Sequence, residues 1–373
     1  MTQGAPVRCR DYPMSFREDN DAYEAWLARH CDVVKKDVRH KHKRMTESPF
    51  IFLRATYFRW AKKIGTWCPE LMDAPKVLSV GDLHLENFGT WRDEDGRLVW
   101  GVNDFDEAAE MPYVLDLVRL VTSIQLAPHR HREVSDQAAA NAVLRGYREG
   151  LDDPQPALLF EGETWLRTYA EPGKGKPEEF WQEVHHYKKA RPPRRIEKAL
   201  IESLPKGIDR KSIRLCKRRK GGGSLGRPRF VAVGYWRGGH VLREAKALVP
   251  SAWSWAHGNK NSQKSNFLAL ANGRYRAPDP LMGVRHKFIL RRIAGDAEKI
   301  ELGNNAGAKI HLRLLQAMGF DLASIHAAGP HGTRAIKADL AQRPRGWLNA
   351  AARTAATETR RDFREWQKSA KRS

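Results

Sequence analysis

Hydrophobic residues recur at helical spacing in most of the chain. Tyr23, Trp26 and Leu27 lie on one side of a helix predicted for residues 15–44. Further helices are predicted to begin at Pro49 and to cover residues 114–127, 136–148, 178–189 and 309–329. The chain is therefore expected to be rich in helices.

Two regions change to the short apolar runs that are typical of β-strands. In the first, an apolar run ends at Val80, and a second strand at 98–102 follows a hairpin turn at 93–96. In the second, strands are predicted at 212–217, 229–235, 240–248 and 286–293. A Gly-rich loop at 221–226 joins the first two of these four strands. Helices and strands together predict an α+β fold.

The composition fits a folded cytoplasmic protein. The chain of 373 residues is 41% hydrophobic and contains 12 Trp, so it can bury a large core. Its 4 cysteines form no C-x-x-C pair, which argues against a zinc site or a disulfide framework. The sequence shows no apolar leader and no apolar run long enough to span a bilayer. We therefore expect a cytoplasmic location and no membrane partner.

The formal net charge of +22 is unusual. Lys and Arg concentrate at 35–44, 188–195, 206–220 and after Arg360. A basic surface can bind nucleic acid or other phosphate-rich partners. These runs lack the regularly interleaved aromatic residues of a stacking platform. A solvated basic surface explains the charge equally well, so nucleic acid stays a possible partner without a supporting motif.

Polar residues at the ends of the two early strands carry the main candidate chemistry. Asp82 and Asn87 stand five residues apart after the first strand, and Asp104 follows the second. Phosphoryl transfer needs a carboxylate that orients the attacking hydroxyl, and further oxygen ligands that hold the metal. Asn87, Asp104 and Asp106 are the candidate metal ligands, and Glu107 is a further one or a supporting residue. Asp and Asn also occur at strand ends for turn geometry alone, but this ordered set favours a site.

The Gly-rich loop is the candidate phosphate-binding element. It consists of Gly222, Gly223, Ser224, Leu225 and Gly226. Backbone N–H groups of such a loop can approach phosphates closely because Gly has no Cβ. The strand that follows the next turn offers two cations, Arg243 and Lys246. Three residues apart, they face opposite sides of the strand, so only one of them can face a nucleotide.

Several motifs resemble those of aminoglycoside phosphotransferases, a branch of the protein-kinase-like proteins. The segment GDLHLEN around Asp82 is similar to the H-G-D-x-H-x-x-N motif of that branch, although Val80 replaces its first His. PYVLDL is similar to the branch's D-P-x-x-D-L-A, in which the Asp, here Asp116, braces the catalytic loop from a buried helix. LASIH, which ends at His326, resembles the L-x-x-L-H that precedes the catalytic loop.

The wider pattern is similar to a bacterial family known as domain of unknown function 2252. The motifs that carry this resemblance are SPFIFLRAT, GDLHLENFG, NDFDEA, GGGSLG, REAKALVPSA, FILRRIAGDAEKIEL and LASIHAAG. In ordinary kinases the Gly-rich sheet precedes the catalytic loop, whereas here it follows. The resemblance therefore implies a two-lobed protein-kinase-like fold that is circularly permuted. Such a fold places His326 near the strand end at Val80.

This resemblance divides the chain into four segments. Residues 1–150 carry the catalytic loop and the metal-binding strand of the helical lobe, and 151–206 form a variable linker or insert. Residues 207–300 form the Gly-rich sheet that covers the nucleotide. Residues 301–373 add the returning helices of the helical lobe and a basic tail.

The resemblance also implies ATP and Mg²⁺ as cofactors, and phosphoryl transfer to a hydroxyl of an unknown small-molecule or protein acceptor. It favours Arg243 as the nucleotide-facing cation, because members of the family usually have Lys before the pair that is Glu244-Ala245 here. No Glu follows Glu244 before Glu298, so the usual acidic partner of that Lys is not evident. A nucleotidyl transferase that moves AMP, and a non-catalytic protein that binds nucleotide or nucleic acid, remain alternatives.

Overall fold

The computed structural model describes residues 15–128, 134–170, 176–258, 263–295, 297, 310–329 and 333–371. Over these residues the chain forms a mixed α+β fold with antiparallel sheets. The α-helices are α1 (Phe16–Ala28), α2 (Lys35–Arg44), α3 (Pro49–Ala55), α4 (Tyr57–Trp67), α5 (Val114–Leu126), α6 (Asp136–Asp152), α7 (Arg167–Ala170), α8 (Lys176–His185), α9 (Arg194–Glu202), α10 (Ala252–His257), α11 (Gln263–Ala271), α12 (Leu312–Ala327), α13 (Arg334–Gln342) and α14 (Trp347–Ala370). The strands are β1 (Lys76–Ser79), β2 (Phe88–Arg92), β3 (Leu98–Val102), β4 (Ala109–Pro112), β5 (Ala157–Leu158), β6 (Arg214–Lys217), β7 (Arg229–Trp236), β8 (Gly239–Ala247), β9 (Gly283–Arg285) and β10 (Phe288–Ile293).

The largest hydrophobic core is built by helices from both ends of the chain. The ring of Phe16 in α1 packs edge-on against Trp366 in α14, with ring centroids 5.6 Å apart. Phe52 in α3 contacts Phe363 in the same way at 5.7 Å. The residues after Arg360, expected as a basic tail, thus belong to a packed helix whose apolar side chains share one face.

Helices α6 and α12 cross at glycines, which place no side chain between the two backbones. A Cβ at Gly319 would collide with the carbonyl oxygen of Val143, and one at Gly146 with that of Gln316. The two backbones therefore touch at a distance that only glycine permits. This crossing fastens α12 to a helix of the first half of the chain.

A five-stranded antiparallel sheet has the order β6–β7–β8–β10–β9. Helix α9 covers one face of it, where Leu200 packs with Phe230 and Ala245. Val231 and Leu242 point to the other face and pack with residues of α8. Strand β8 therefore presents alternate side chains to α9 and to the opposite face.

Most predicted elements lie close to their expected bounds. The expected hairpin turn at 93–96 is present, but the strand that leads into it, β2, was not predicted. The helix predicted over 15–44 is instead two helices, α1 and α2. The break between them lets the backbone N–H of Val34 donate to the Gly226 carbonyl at 2.8 Å, a tertiary contact that periodicity cannot reveal. Residue 296 and residues 298–302 of the FILRRIAGDAEKIEL motif lie outside the described residues.

We expect Gly319→Ala to destabilise the protein. Overpacking a tight contact costs about 1–3 kcal/mol, more than the roughly 1 kcal/mol that Ala gains over Gly in a helix. The matched control is Gly65→Ala in α4, whose Cβ would meet only the flexible Met72 side chain at 3.3 Å. The free energies of unfolding in urea should fall for the first variant and stay equal or rise for the second. Equal changes in both would contradict a decisive backbone contact at Gly319.

Candidate functional site

A cavity of about 1000 Å³ receives residues from the helical core and from the five-stranded sheet. Its lining includes the following sequence-predicted residues: Asp82, Asn87, Asp104, Asp106, Gly222, Gly223, Ser224 and Leu225. Arg243 instead lines a second cavity, of about 350 Å³. The fold thus brings the two early strand ends and the Gly-rich loop to one cleft.

The loop that carries Asp82 is held by a buried carboxylate. Asp116, on α5, accepts hydrogen bonds from the backbone N–H of Val80 at 2.7 Å and of Gly81 at 2.9 Å. Its Oδ2 also lies 3.1 Å from Nε2 of His326 on α12. The expected bracing role of Asp116 and the expected position of His326 near Val80 are both confirmed.

Asn87 links this loop to the second strand end. Its Nδ2 donates to the carbonyl oxygen of Asp82 at 2.6 Å. The backbone carbonyl oxygen of Asn87 accepts from the backbone N–H of Asn103 at 3.0 Å. The side chain of Asn87 is therefore tied to Asp82, and its backbone to the residue that precedes Asp104.

The Asp82 carboxylate is held by a buried guanidinium. Nη2 of Arg119 lies 2.5 Å from Asp82 Oδ1, and Arg119 has no exposed side-chain surface. Burial raises the pKa of Asp82, although the charges of Arg119 and Arg54 oppose this effect. A Cβ at Gly223 would lie 3.3 Å from Asp82 Oδ2 and 2.7 Å from the Arg54 carbonyl oxygen. A side chain at position 223 would therefore collide with the Arg54 carbonyl, and the loop passes close beside Asp82.

Lys246 lies against Asp104 and Asp106. Its Nζ is 3.4 Å from both carboxylate oxygens of Asp104 and forms an ion pair with Asp106. Arg243 points to the other face of β8, where its Nε donates to the Ser203 carbonyl oxygen at 2.8 Å. The preference for Arg243 as the cleft-facing cation was wrong, because the register of β8 turns Arg243 toward the end of α9.

Glu107 and Arg227 fasten the Gly-rich loop to the second strand end. The two side chains form an ion pair, and Arg227 Nη1 lies 3.5 Å from Asp106 Oδ2. The other carboxylate oxygen of Glu107 accepts from the backbone N–H of Ala252 at 2.6 Å. Since protein groups engage both of its oxygens, Glu107 acts as an anchor and does not offer a ready metal ligand.

Two buried oxygens beside Asp104 have no hydrogen-bond partner: Asn103 Oδ1 and Asp106 Oδ1. Amide and carboxylate oxygens suit Mg²⁺, which uses one or two carboxylates and completes its shell with water and phosphate oxygens. Over the described ranges, no group of three His, Cys, Asp or Glu side chains could hold a metal ion. The donor set at Asn87, Asp104 and Asp106 therefore fits a metal shared with phosphates and not one enclosed by protein ligands.

Glu244 on β8 is fully buried at the centre of an arginine cluster. Its oxygens lie 2.7 Å from Arg218 Nη1, 3.2 Å from Arg229 Nη1 and 2.8 Å from Arg291 Nη2. The three guanidiniums hold the pKa of Glu244 well below its ordinary value, although burial acts in the opposite direction. All three arginines line the main cavity.

Sequence reasoning missed Arg119 and this cluster for different reasons. Arg119 stands in the apolar helix α5, and a charge in a buried helix needs a partner, so a signal was present. The arginines of the cluster come from different strands and meet only through strand pairing. No local pattern could have shown that they share one carboxylate.

Comparison with protein families gives one match. The family described as "Uncharacterized protein conserved in bacteria (DUF2252)" matches residues 33–160. This segment contains Asp82, Asn87 and Asp104, so the match supports the family resemblance for the part of the cleft that they form. Neither the curated proteins nor the solved structures gave a match.

Within the described ranges, no helix combines the length and the apolar character that crossing a membrane requires.

We expect Glu244→Gln to lower the free energy of unfolding at neutral pH by about 3–5 kcal/mol, because the three buried guanidiniums lose their counter-charge. The pKa of Glu244 is lower in the folded state than its ordinary value of 4.5. Its charge therefore stabilises the fold above that value, and this contribution is lost as the pH falls through the folded-state pKa. The difference from the wild type should shrink in acid.

Urea unfolding between pH 3 and pH 7 measures this difference. Glu110→Gln, at an exposed position on β4, is the control and should show little difference at any pH. A Glu244→Gln difference that stays constant over this range would contradict the pKa assignment.

Proposed function

We propose that this protein is an ATP- and Mg²⁺-dependent phosphotransferase with a circularly permuted, two-lobed protein-kinase-like fold. The observation that carries the proposal is the meeting of Asp82, Asn87 and Asp104 in one cleft with the Gly-rich loop. These are the residue types that phosphoryl transfer requires, and a loop of this kind covers the phosphates in kinases.

The permutation is supported by α12 and the catalytic loop. His326 of α12 contacts Asp116, which in turn holds the backbone of Val80 and Gly81. In kinase-like proteins the corresponding helix leads directly into the catalytic loop. Here the same neighbourhood arises although the helix stands near the other end of the chain. Tolerance of such a rearrangement is expected when chain termini lie at the surface.

In this proposal Asp82 orients the hydroxyl of the acceptor and accepts its proton. Burial raises its pKa, which favours proton acceptance, while Arg119 fixes the carboxylate in place. Asn87 and Asp104, with Asp106 beside them, would hold Mg²⁺, which neutralises charge on the phosphates when bound. Lys246 balances the two carboxylates on the same side of the sheet.

The reaction is tested with ATP that carries the label on either the γ- or the α-phosphate. The protein is incubated with Mg²⁺ and with separate small-molecule and protein fractions of a bacterial extract as acceptors. Transfer of the γ-label alone supports a phosphotransferase. Transfer of the α-label identifies a nucleotidyl transferase, and transfer of neither label contradicts both activities.

We expect Asp104→Asn to weaken the Mg²⁺-dependent binding of ATP by roughly a hundredfold, since a charge-assisted metal contact is lost. Isothermal calorimetry with and without Mg²⁺ measures this change. Asp95→Asn, an exposed position in the turn before β3, is the matched control and should bind as the wild type. Undiminished metal-dependent affinity in Asp104→Asn would remove Asp104 from the site.

We expect Lys246→Met to weaken ATP binding by roughly tenfold to a hundredfold, because Asp104 and Asp106 then repel the phosphates without compensation. Arg243→Met removes the same charge from the opposite face of the strand and should leave the affinity unchanged. Calorimetry with ATP and Mg²⁺ compares the two variants. The reverse order of effects would show that the cleft lies on the α9 side of β8.

A further inference from the structure

Several buried arginines elsewhere in this protein contact at least one carboxylate each. Arg59 contacts both Asp19 and Asp362, and Arg276 contacts Asp321. Arg119 contacts Asp82, and Arg227 contacts both Glu107 and Asp106. Burial of a guanidinium is thus usually matched by an acidic group in the core, with Arg243, which donates to the backbone carbonyl oxygens of Ser203 and Leu242, as an exception.

The cluster around Glu244 departs from this rule. Three guanidiniums, those of Arg218, Arg229 and Arg291, share the single carboxylate of Glu244. Arg218 and Arg229 are each only 8% exposed. The three guanidiniums and this one carboxylate leave an excess of positive charge, which the charges of Asp104 and Asp106 only partly offset. Such an excess, withdrawn from water, is costly unless an anion compensates it.

The three arginines differ in how far acidic groups compensate their charge. Burial lowers the pKa of Arg229, and the neighbouring charges of Arg291 and Arg218 lower it further, while Glu244 and Asp106 act against them. For Arg218 and Arg291, acidic groups led by Glu244 outweigh burial and raise the pKa. Arginine releases its proton only with great difficulty, so the cluster stays charged at physiological pH. Its excess charge must therefore be met by a ligand or by solvent in the cavity.

The position of the cluster points to the ligand. The backbone N–H of Arg218 donates to the carbonyl of Arg229 at 3.2 Å, so these two residues close the base of the Gly-rich loop. Arg229 Nη2 also donates to Ser224 Oγ in that loop at 3.1 Å. Arg291 stands opposite Glu244 on the neighbouring strand β10. Arg218 directly follows β6, Arg229 lies on β7 and Arg291 on β10, and all three line the main cavity together with the Gly-rich loop.

We propose that Arg218, Arg229 and Arg291 form a binding site for an oligophosphate chain, with Glu244 holding the three guanidiniums in position. Planar guanidiniums bind phosphate oxygens with two parallel hydrogen bonds, and several of them in a row suit a chain better than a single phosphate. This inference rests on the proposed function, because the oligophosphate that the cluster binds is then the triphosphate group of ATP. Inorganic tripolyphosphate carries the same chemistry, and it separates the cluster from any recognition of base or ribose.

The test compares Arg291→Gln with the wild type. This variant leaves Glu244 paired with two arginines, so the fold keeps its counter-charge. Arg285→Gln removes one charge at an exposed position of the neighbouring strand β9 and is the control. Calorimetry measures the binding of tripolyphosphate without metal and of ATP with Mg²⁺. Thermal melting checks that each variant is folded, and Arg218→Gln replaces Arg291→Gln if that variant does not fold.

We expect Arg291→Gln to weaken the binding of both ligands by roughly tenfold to a hundredfold, and Arg285→Gln to leave it unchanged. Arg291→Lys should restore part of the loss, since it keeps the charge without the planar fork. Orthophosphate should bind the wild type at least about tenfold more weakly than tripolyphosphate.

The outcomes separate this inference from the proposed function. If ATP binds and its γ-phosphate is transferred but Arg291→Gln binds as the wild type, the cluster is not the phosphate site and the proposed activity stands. If tripolyphosphate binding is lost in Arg291→Gln but no label is ever transferred from ATP, the cluster stands and the proposed activity falls. If the folded wild type binds no tripolyphosphate, or binds it no better than orthophosphate, the inference is overturned.

Discussion

Asp116 has no exposed surface, and a carboxylate so placed is stable only where donors surround it. Its donors are two backbone N–H groups of the loop that carries Asp82 and the ring of His326. The other ring nitrogen of His326 lies 2.7 Å from the hydroxyl of Tyr147 on α6. A neutral His326 satisfies both contacts when Nε2 donates to Asp116 and Nδ1 accepts from Tyr147. One buried charge thereby connects α5, α6 and α12 to the turn that positions Asp82.

Asp116 links the loop that carries Asp82 to the helical region. The donors of Asp116 come from segments far apart in sequence, so the turn at Gly81 and helix α12 share one buried carboxylate. The glycine contacts at Gly146 and Gly319 allow that packing. Leaving Asp116 without its donors would cost about 3–5 kcal/mol, a large part of the stability of a typical domain. The geometry around Asp82 is therefore linked to folding of the helical region.

Part of this arrangement could be predicted from local sequence patterns. The strand–loop–strand frame around Asp82 and Asp104 could be predicted because its residues are close in sequence and each turn is formed by neighbouring residues. The contact of His326 followed from a family resemblance and not from local pattern. The prediction that Arg243 faces the cleft failed. Side chains alternate between the two faces of a strand, but this alternation does not show which face α9 covers. That information lies in tertiary packing.

The structure also changes how the net charge is interpreted. Runs of Lys and Arg suggested either a surface for phosphate-rich partners or a merely solvated one, but several arginines in these runs and elsewhere are buried and paired. Arg59 and Arg276 connect elements of the core through carboxylates. Arg218 comes from one of the basic runs and lies in the cleft. Composition counts these residues with the exposed ones, so it overstates how much of the charge is available to a partner.

Ion pairs between charged side chains also fix the position of the Gly-rich loop. Arg227 at its C-terminal end is held by Glu107 in a buried pair, and Arg219 at its N-terminal end contacts Asp37 of α2 at 2.7 Å. The second contact is half-exposed and contributes little, whereas breaking the buried one is costly. Motion of the loop is therefore confined to the segment between these ends, which contains Gly223 beside Asp82. The buried anchor thus holds the C-terminal end of the loop against the second strand end, where Arg227 also lies beside Asp106.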